Sequence, residues 1–222
     1  MEPLDLFDII GPVMVGPSSS HTAGAIRLGR LARAAAGFAP AEATILLHGS
    51  FAETGRGHGT DRGLVAGLLG WAPDDARLPQ VAACAAEAGL KVEFVRADLG
   101  RVHPNTARFL LVSAEGQRVE AQGSSTGGGA VVLTELNGWP VELSGLYHTL
   151  LVSHRDRPGA LAGITGRLAA FGLNIATMRV ARRSRGGEAM AMLELDQPPD
   201  DRVRAELEIL TEVLWTRRVD RL

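Results

Sequence analysis

The spacing of apolar and polar positions divides the chain into two stretches with different rhythms. In the first, apolar segments are separated by long polar loops. Residues 5–15 are apolar with a break at Gly11-Pro12 and predict a short helix or strand. Residues 23–36 predict a helix. Ile26, Leu28 and Leu31 supply its apolar side, while Arg27, Arg30 and Arg33 recur every three residues as a solvated or partner-facing stripe. Residues 42–48 predict a buried strand, β-branched and apolar over Thr44-Ile45-Leu46-Leu47. A helix follows from Thr60 or Asp61, with Leu64, Val65, Leu68 and Leu69 on one face. Then come an Ala-rich helix over 79–89 and a strand over 91–95. A hairpin of 105–114 with 118–122 turns across Glu115-Gly116, and a second, of 130–136 with 139–143, turns around Asn137-Gly138.

Ser144-Gly145 marks the change of rhythm, which predicts domains at 1–144 and 145–222. The second stretch reads as a compact βαββαβ unit. Strands are predicted at 147–153, 174–181 and 188–195, with a short closing strand at 217–221. A helix over 160–171 carries Leu161, Ile164, Leu168 and Phe171 on one side and stops at Gly172. A last helix from Asp201 carries Val203, Leu207, Leu210 and Leu214. Split βαβ units of this kind form an antiparallel sheet with helices on one face, a ferredoxin-like arrangement. The fold class is α+β, a mixed α/β domain followed by this unit.

Three loops of the first stretch stand out. Ser18-Ser19-Ser20-His21-Thr22 packs four hydroxyls and an imidazole into five residues, just ahead of a helix. One serine suffices to cap that helix. The surplus points to an anion site at the positive helix N-terminus, with a histidine at hand for proton transfer. The second loop, residues 49–61, repeats the arrangement with Ser50, His58, Thr60 and Asp61, opened by glycines at 55, 57 and 59. A flexible surface loop is the plain alternative. The third, Gly123-Ser124-Ser125-Thr126-Gly127-Gly128-Gly129, is either a tight crossover or an anion nest.

Composition removes several chemistries. The net charge of −2 argues against nucleic acid and anionic membranes as partners. No run approaches the ~20 apolar residues of a membrane span, and the acidic N-terminus is unlike a signal peptide, so a cytoplasmic location is expected. Cys84 is the only cysteine, so this chain alone builds neither a disulfide nor a cysteine-rich metal or cluster site. It reads as a small core residue. Lys91 is the only lysine among 23 basic residues and sits at a strand edge, which speaks against a pyridoxal Schiff base. His21, His48, His58 and His103 lack the i, i+4 spacing of a helical zinc site.

Taken together, residues 16–24, 48–61, 123–129 and the C-terminal unit resemble the β subunit of the two-chain, iron–sulfur-dependent L-serine dehydratases. The C-terminal unit resembles an ACT domain, with Asp156-Arg157-Pro158-Gly159 as its ligand-loop signature. The resemblance implies deamination of L-serine to pyruvate and ammonia at a [4Fe–4S] cluster whose cysteines lie on a separate α subunit, without pyridoxal phosphate. It implies His21 and His58 as active-site histidines, with His58 slightly ahead as the base. Ser18, Ser19, Ser20 and Thr22 would receive the substrate carboxylate. Ser50, Thr60 and Asp61 would bind substrate or orient His58, and Ser124 and Ser125 would complete the wall. The family often has lysine where this chain has Arg56, which puts a direct substrate role for that residue in doubt. Some members require a monovalent cation. A hetero-oligomer with ACT-mediated dimerisation is implied. The ACT unit serves subunit contacts alone, or forms a regulatory or ion site around Asp156, Gly159 and Asn174. The competing reading is a non-catalytic amino-acid sensor that binds serine through both domains.

Overall fold

The computed structural model describes residues 13–55 and 57–222. Residues 5–12 of the predicted apolar lead-in, and Arg56, lie outside the described residues. The chain divides into two compact units, Met1–Ser144 and Gly145–Leu222.

In the N-terminal unit a π-helical turn, Ser19–Ala23, runs straight into α1, Gly24–Ala36. The helix therefore starts before the expected residue 23. Ser18, in extended backbone, caps it by accepting from the His21 N–H. Gly37, at φ 77°, closes it by donating to the carbonyls of Arg33 and Ala34. Next come β1 (Glu42–Leu47), α2 (Gly49–Thr54) and α3 (Thr60–Leu68). A 3-10 turn at Leu78–Gln80 leads into α4 (Val81–Glu87), then β2 (Lys91–Arg96). The unit ends with β3 (Thr106–Val112), β4 (Arg118–Gly127), β5 (Ala130–Leu136) and β6 (Trp139–Leu143). These six strands form one sheet in the order β2-β1-β3-β4-β5-β6. Only β1 and β2 are parallel among its pairs; the rest are antiparallel. Helix α1 packs on β4 and β5 and against α3. Ile45, Phe109, Leu111 and Leu133 are fully buried within the sheet.

The α1–α3 packing depends on missing side chains. A Cβ on Gly63 would stand 2.8 Å from the Thr22 carbonyl oxygen, and one on Gly67 2.2 Å from that of Ile26. One on Gly29 would stand 2.5 Å from the Leu64 carbonyl oxygen. Residues 22, 26 and 29 thus meet 63, 67 and 64–68 in the same sense along both helices. The helices run side by side with their N-termini together. The arginine stripe, expected to be solvated or partner-facing, is not fully solvated. Arg27, Arg30 and Arg33 are half-buried, and Arg33 donates to the Leu68 carbonyl at 2.9 Å, capping the end of α3.

The third loop is corrected most. Residues 123–127 are not loop but the end of β4, paired with β5 through Gly123 with Leu133, Ser124 with Val132 and Ser125 with Val131. Gly123 is needed because a Cβ there would lie 2.5 Å from the Val132 carbonyl oxygen. The turn is confined to Gly128 and Gly129. Residues 49–54, also expected as loop, form α2.

The C-terminal unit is β7 (His148–Arg155), α5 (Ala160–Ala170), β8 (Ile175–Arg182), β9 (Glu188–Leu195), α6 (Asp201–Glu208) and β10 (Val213–Val219). Its antiparallel sheet has the order β10-β7-β9-β8. Leu150, Val152, Ala191, Leu193 and Leu195 of the sheet pack with Ile164, Leu168, Val203 and Leu207 of the two helices. The ferredoxin-like βαββαβ arrangement expected from the pattern is present. The last helix stops at Glu208, so Leu210 follows it and Leu214 belongs to β10. Asp200 caps α6, its Oδ1 accepting from the Val203 N–H at 2.9 Å.

Candidate functional site

Two polar stretches lead into α1 and α3, and the parallel packing of those helices brings the stretches to one end of the unit. Thr22 ties them together by donating from Oγ1 to the His58 carbonyl at 2.8 Å. Gly16, at φ 123°, leaves room for that threonine, because a Cβ there would stand 2.5 Å from Thr22 Cγ2. The result is a pair of imidazoles from residues 37 positions apart. The His21 and His58 ring centroids are 5.2 Å apart, tilted by 56°.

The two rings have different surroundings. His58 is exposed and lines a cavity of about 690 Å³. Leu47, Phe51, Phe94 and Val95 give that cavity apolar walls, and Glu53, Thr54, Asp61 and Arg96 add polar groups. His21 is half-buried, edge-on to Phe51 at 5.4 Å. Its Nε2 lies 3.0 Å from Ser50 Oγ. Burial first, and the neighbouring His58 second, lower the His21 pKa below its ordinary 6.5. Neutral imidazole is the resting form expected at pH 7.

The other predicted site residues fall into separate environments. Ser18 is engaged as the cap, while Ser19 and Ser20 are half-buried in the π-helical turn. Ser50 meets His21 rather than His58. Asp61 lines the cavity, and its Oδ1 accepts from the Arg62 N–H. Thr60 is buried and its hydroxyl has no hydrogen-bond partner. Ser124 is buried and bonded to the Thr106 hydroxyl at 2.7 Å, which itself donates to the His103 carbonyl. Ser125 is fully buried, also without a partner, and packs on Gly24, where an added Cβ would stand 2.1 Å from its Oγ. Ser125 thus backs the α1 N-terminus from within the sheet, while Ser124 is tied to β3. His48 Nδ1 accepts from the Leu99 N–H, with the Asp98 carboxylate 3.7 Å from the same nitrogen, and His103 accepts from the Asn105 N–H.

In the C-terminal unit Asp156 accepts from the Gly186 N–H at 3.1 Å and from Arg182 Nη1 at 3.0 Å. The backbone bond first, then the arginine, hold its carboxyl below the usual range. Gly159, at φ 89°, precedes the first turn of α5. Asn174 follows the other end of that helix, where its Nδ2 donates to Asp196 at 2.7 Å. Eleven helical residues span about 16 Å, so the unit does not gather Asp156, Gly159 and Asn174 into one cluster.

Sequence reasoning missed two contributors, Phe51 and Thr54. Both follow once 49–54 is a helix, because Ser50 and Thr54 then stand one turn apart at i, i+4. Cys84 is half-buried on α4 rather than in the core. No group of three or more His, Cys, Asp or Glu among the described residues could hold a metal ion. Among the described residues, no helix is long and apolar enough to cross a membrane.

Comparison with known proteins places the whole chain. The family model "Serine dehydratase beta chain" matches residues 4–136 and the model "ACT domain" matches residues 148–212. The probable L-serine dehydratase beta chain of Bacillus subtilis is 43% identical over 96% of this chain and 97% of its own. The L-serine dehydratase beta chain of Peptoniphilus asaccharolyticus is 35% identical over 90% of this chain and 91% of its own. A D-3-phosphoglycerate dehydrogenase of Mycobacterium tuberculosis is 29% identical over 62% of this chain but only 26% of its own. The matches to both beta chains run nearly end to end, across the histidine-bearing stretches and the C-terminal unit alike, so this chain belongs to the serine dehydratase beta chain family, with an ACT domain at its C-terminus.

Proposed function

We propose that the chain is the β subunit of an L-serine ammonia-lyase and contributes the acid–base and substrate-binding half of the active site. The observation that carries this is the His21–His58 pair where the polar stretches ahead of α1 and α3 meet, with His58 opening onto the cavity. The carboxylate of L-serine rests on the Ser19 and Ser20 hydroxyls and the positive end of the helix. His58, exposed to the cavity, takes the Cα proton. The β-hydroxyl departs as water with the proton that His58 has just taken, the resulting enamine tautomerises to an imine, and hydrolysis of that imine yields pyruvate and ammonia. His21, kept neutral by burial, spares His58 a second positive charge nearby.

The described residues do not fit a [4Fe–4S] cluster, because such clusters need several thiolates and the chain has Cys84 alone. The cluster belongs in this reading to a cysteine-bearing α subunit, and no step above is derived through it. The C-terminal unit takes the regulatory part, with residues 156–159 as its ligand loop.

The likeness to D-3-phosphoglycerate dehydrogenases favours a second reading, a serine-binding sensor without turnover. Anaerobic co-expression with the cysteine-bearing partner, followed by a pyruvate assay on L-serine, separates the two. The wild-type pair is expected to make pyruvate, and His58→Ala to lose roughly 10²- to 10⁴-fold in rate while still assembling. A silent pair with an intact cluster, together with serine binding by this chain alone, would replace the first reading with the second.

A further inference from the structure

The short helix α2 carries two hydroxyls one turn apart, and their hydrogens are not free to point anywhere. Thr54 Oγ1 donates to the Ser50 carbonyl at 2.8 Å, the back-bond of a helical threonine. A hydroxyl has one hydrogen, so Thr54 meets Ser50 Oγ, 3.5 Å away, only as an acceptor. Ser50 Oγ in turn lies 3.0 Å from His21 Nε2. Its one hydrogen has two destinations.

If the Ser50 hydrogen points at His21, Nε2 is the bare nitrogen and Nδ1 carries the ring hydrogen. No group among the described residues hydrogen-bonds Nδ1, so this form turns its N–H to solvent and leaves the Ser50–Thr54 bond unmade. If the hydrogen points at Thr54, Nε2–H donates to Ser50, Ser50 to Thr54, and Thr54 to the Ser50 carbonyl. Every hydrogen then has an acceptor and only a lone pair is left over. The second form therefore makes one more hydrogen bond within the protein than the first. Among the described residues the ring's other neighbours, Phe51 and His58, offer no carboxylate to reverse the choice.

We infer that Thr54 is a positioning residue that sets the His21 tautomer: by accepting from Ser50 it makes Nε2 the protonated nitrogen and leaves Nδ1 as the proton acceptor. The chain of donors ends on a backbone carbonyl, so its direction is fixed by the helix itself. The Ser50–Thr54 contact is long for a hydroxyl pair and is the weak link. The inference rests on the proposed function only for its catalytic consequence, since the tautomer is a property of the folded chain.

The test is long-range ¹H–¹⁵N correlation NMR on the full chain labelled in histidine, above the titration range, with His21 assigned by its loss in His21→Gln. Wild type and Thr54→Ser are expected to show the Nε2–H form. Thr54→Val is expected to lose it, with Thr54→Ala as a second variant should valine disturb the helix. In the reconstituted pair, kcat is expected to fall roughly two- to tenfold in Thr54→Val, the worth of one hydrogen bond, and to recover in Thr54→Ser. An Nδ1–H signal in the wild type, or an unchanged Nε2–H signal in Thr54→Val, overturns the inference. A wild-type pair that makes no pyruvate, with the Nε2–H signal intact and lost in Thr54→Val, sinks the proposed function and leaves the tautomer assignment standing.

Discussion

The two units assemble their helices by opposite means. In the N-terminal unit α1 and α3 touch backbone to backbone, with Gly29, Gly63 and Gly67 each facing a carbonyl oxygen of the other helix. In the C-terminal unit α5 and α6 are held through side chains, with Ile164, Leu168, Val203 and Leu207 packed on the sheet. The glycines of α5 do no such work. A Cβ on Gly166 would meet nothing within 4 Å, and one on Gly163 only the Leu210 side chain at 3.6 Å. The difference teaches what each packing is for. Side-chain packing yields a stable platform that needs no close approach of its helix backbones. Backbone contact yields a fixed spacing between two helix N-termini, and the histidines stand there.

Three substitutions or conditions probe that contrast. The largest effect is expected from Gly67→Ala, whose Cβ would stand 2.2 Å from the Ile26 carbonyl oxygen. Overpacking of this kind costs about 1–3 kcal/mol. Hydrogen exchange of the α1 and α3 amides should quicken, and pyruvate formation should fall, while β7 and β9 keep their protection. Unchanged exchange in α1 and α3 would mean that the glycine contact does not set the packing. The matching change in the other unit, Gly166→Ala, should act in the opposite direction. With no neighbour to strike, the added methyl should stabilise α5 by about 0.5–1 kcal/mol, read as a higher urea midpoint for the C-terminal unit. Destabilisation there would break the comparison.

The smallest effect is the response to acid. The folded-state pKa of His21 is lowered, so the native state resists protonation more than the unfolded chain does. The stability that His21 contributes is therefore complete above 6.5 and is lost as pH falls from there through the folded value. In the C-terminal unit Asp156 is lowered as well, but from 3.8, so its contribution persists until pH falls below that value. Hydrogen exchange compared between pH 7 and pH 5, corrected for intrinsic rates, should show α1 and α3 loosening while the Asp156 turn holds. The His21→Gln chain should lose the N-terminal part of that response.

Much of this arrangement is legible in the sequence, and the failures have physical causes. The two stretches that carry His21 and His58 declare themselves by crowding hydroxyls and a histidine ahead of an apolar helix face. The C-terminal unit declares itself through Leu161, Ile164 and Leu168, and through the βαββαβ order of its segments. The 123–129 stretch misleads because glycine and serine ordinarily signal a loop. Here Gly123 is demanded by the closeness of β5, and the Ser124 hydroxyl finds Thr106 on β3, so small polar residues fit a buried ladder. Helix α2 is too short for a periodic signal, having only Gly49–Thr54. The last helix was overextended because Leu210 and Leu214 continue its apolar spacing, although Leu214 stands on β10. Nothing local in the sequence tells that Gly63 and Gly67 face α1, because the reason lies on another helix.

A contact between a carbonyl oxygen and a bare Cα has no rotamer to adjust and no methylene to trim. Resizing the core around α1 and α3 therefore has little purchase on the distance between the two imidazoles. For an engineer wishing to admit a bulkier ligand, the adjustable parts are the apolar cavity walls on β2, Phe94 and Val95. A library that randomises those walls keeps the two histidines in register, and one that spends its diversity on Gly29, Gly63 and Gly67 discards it.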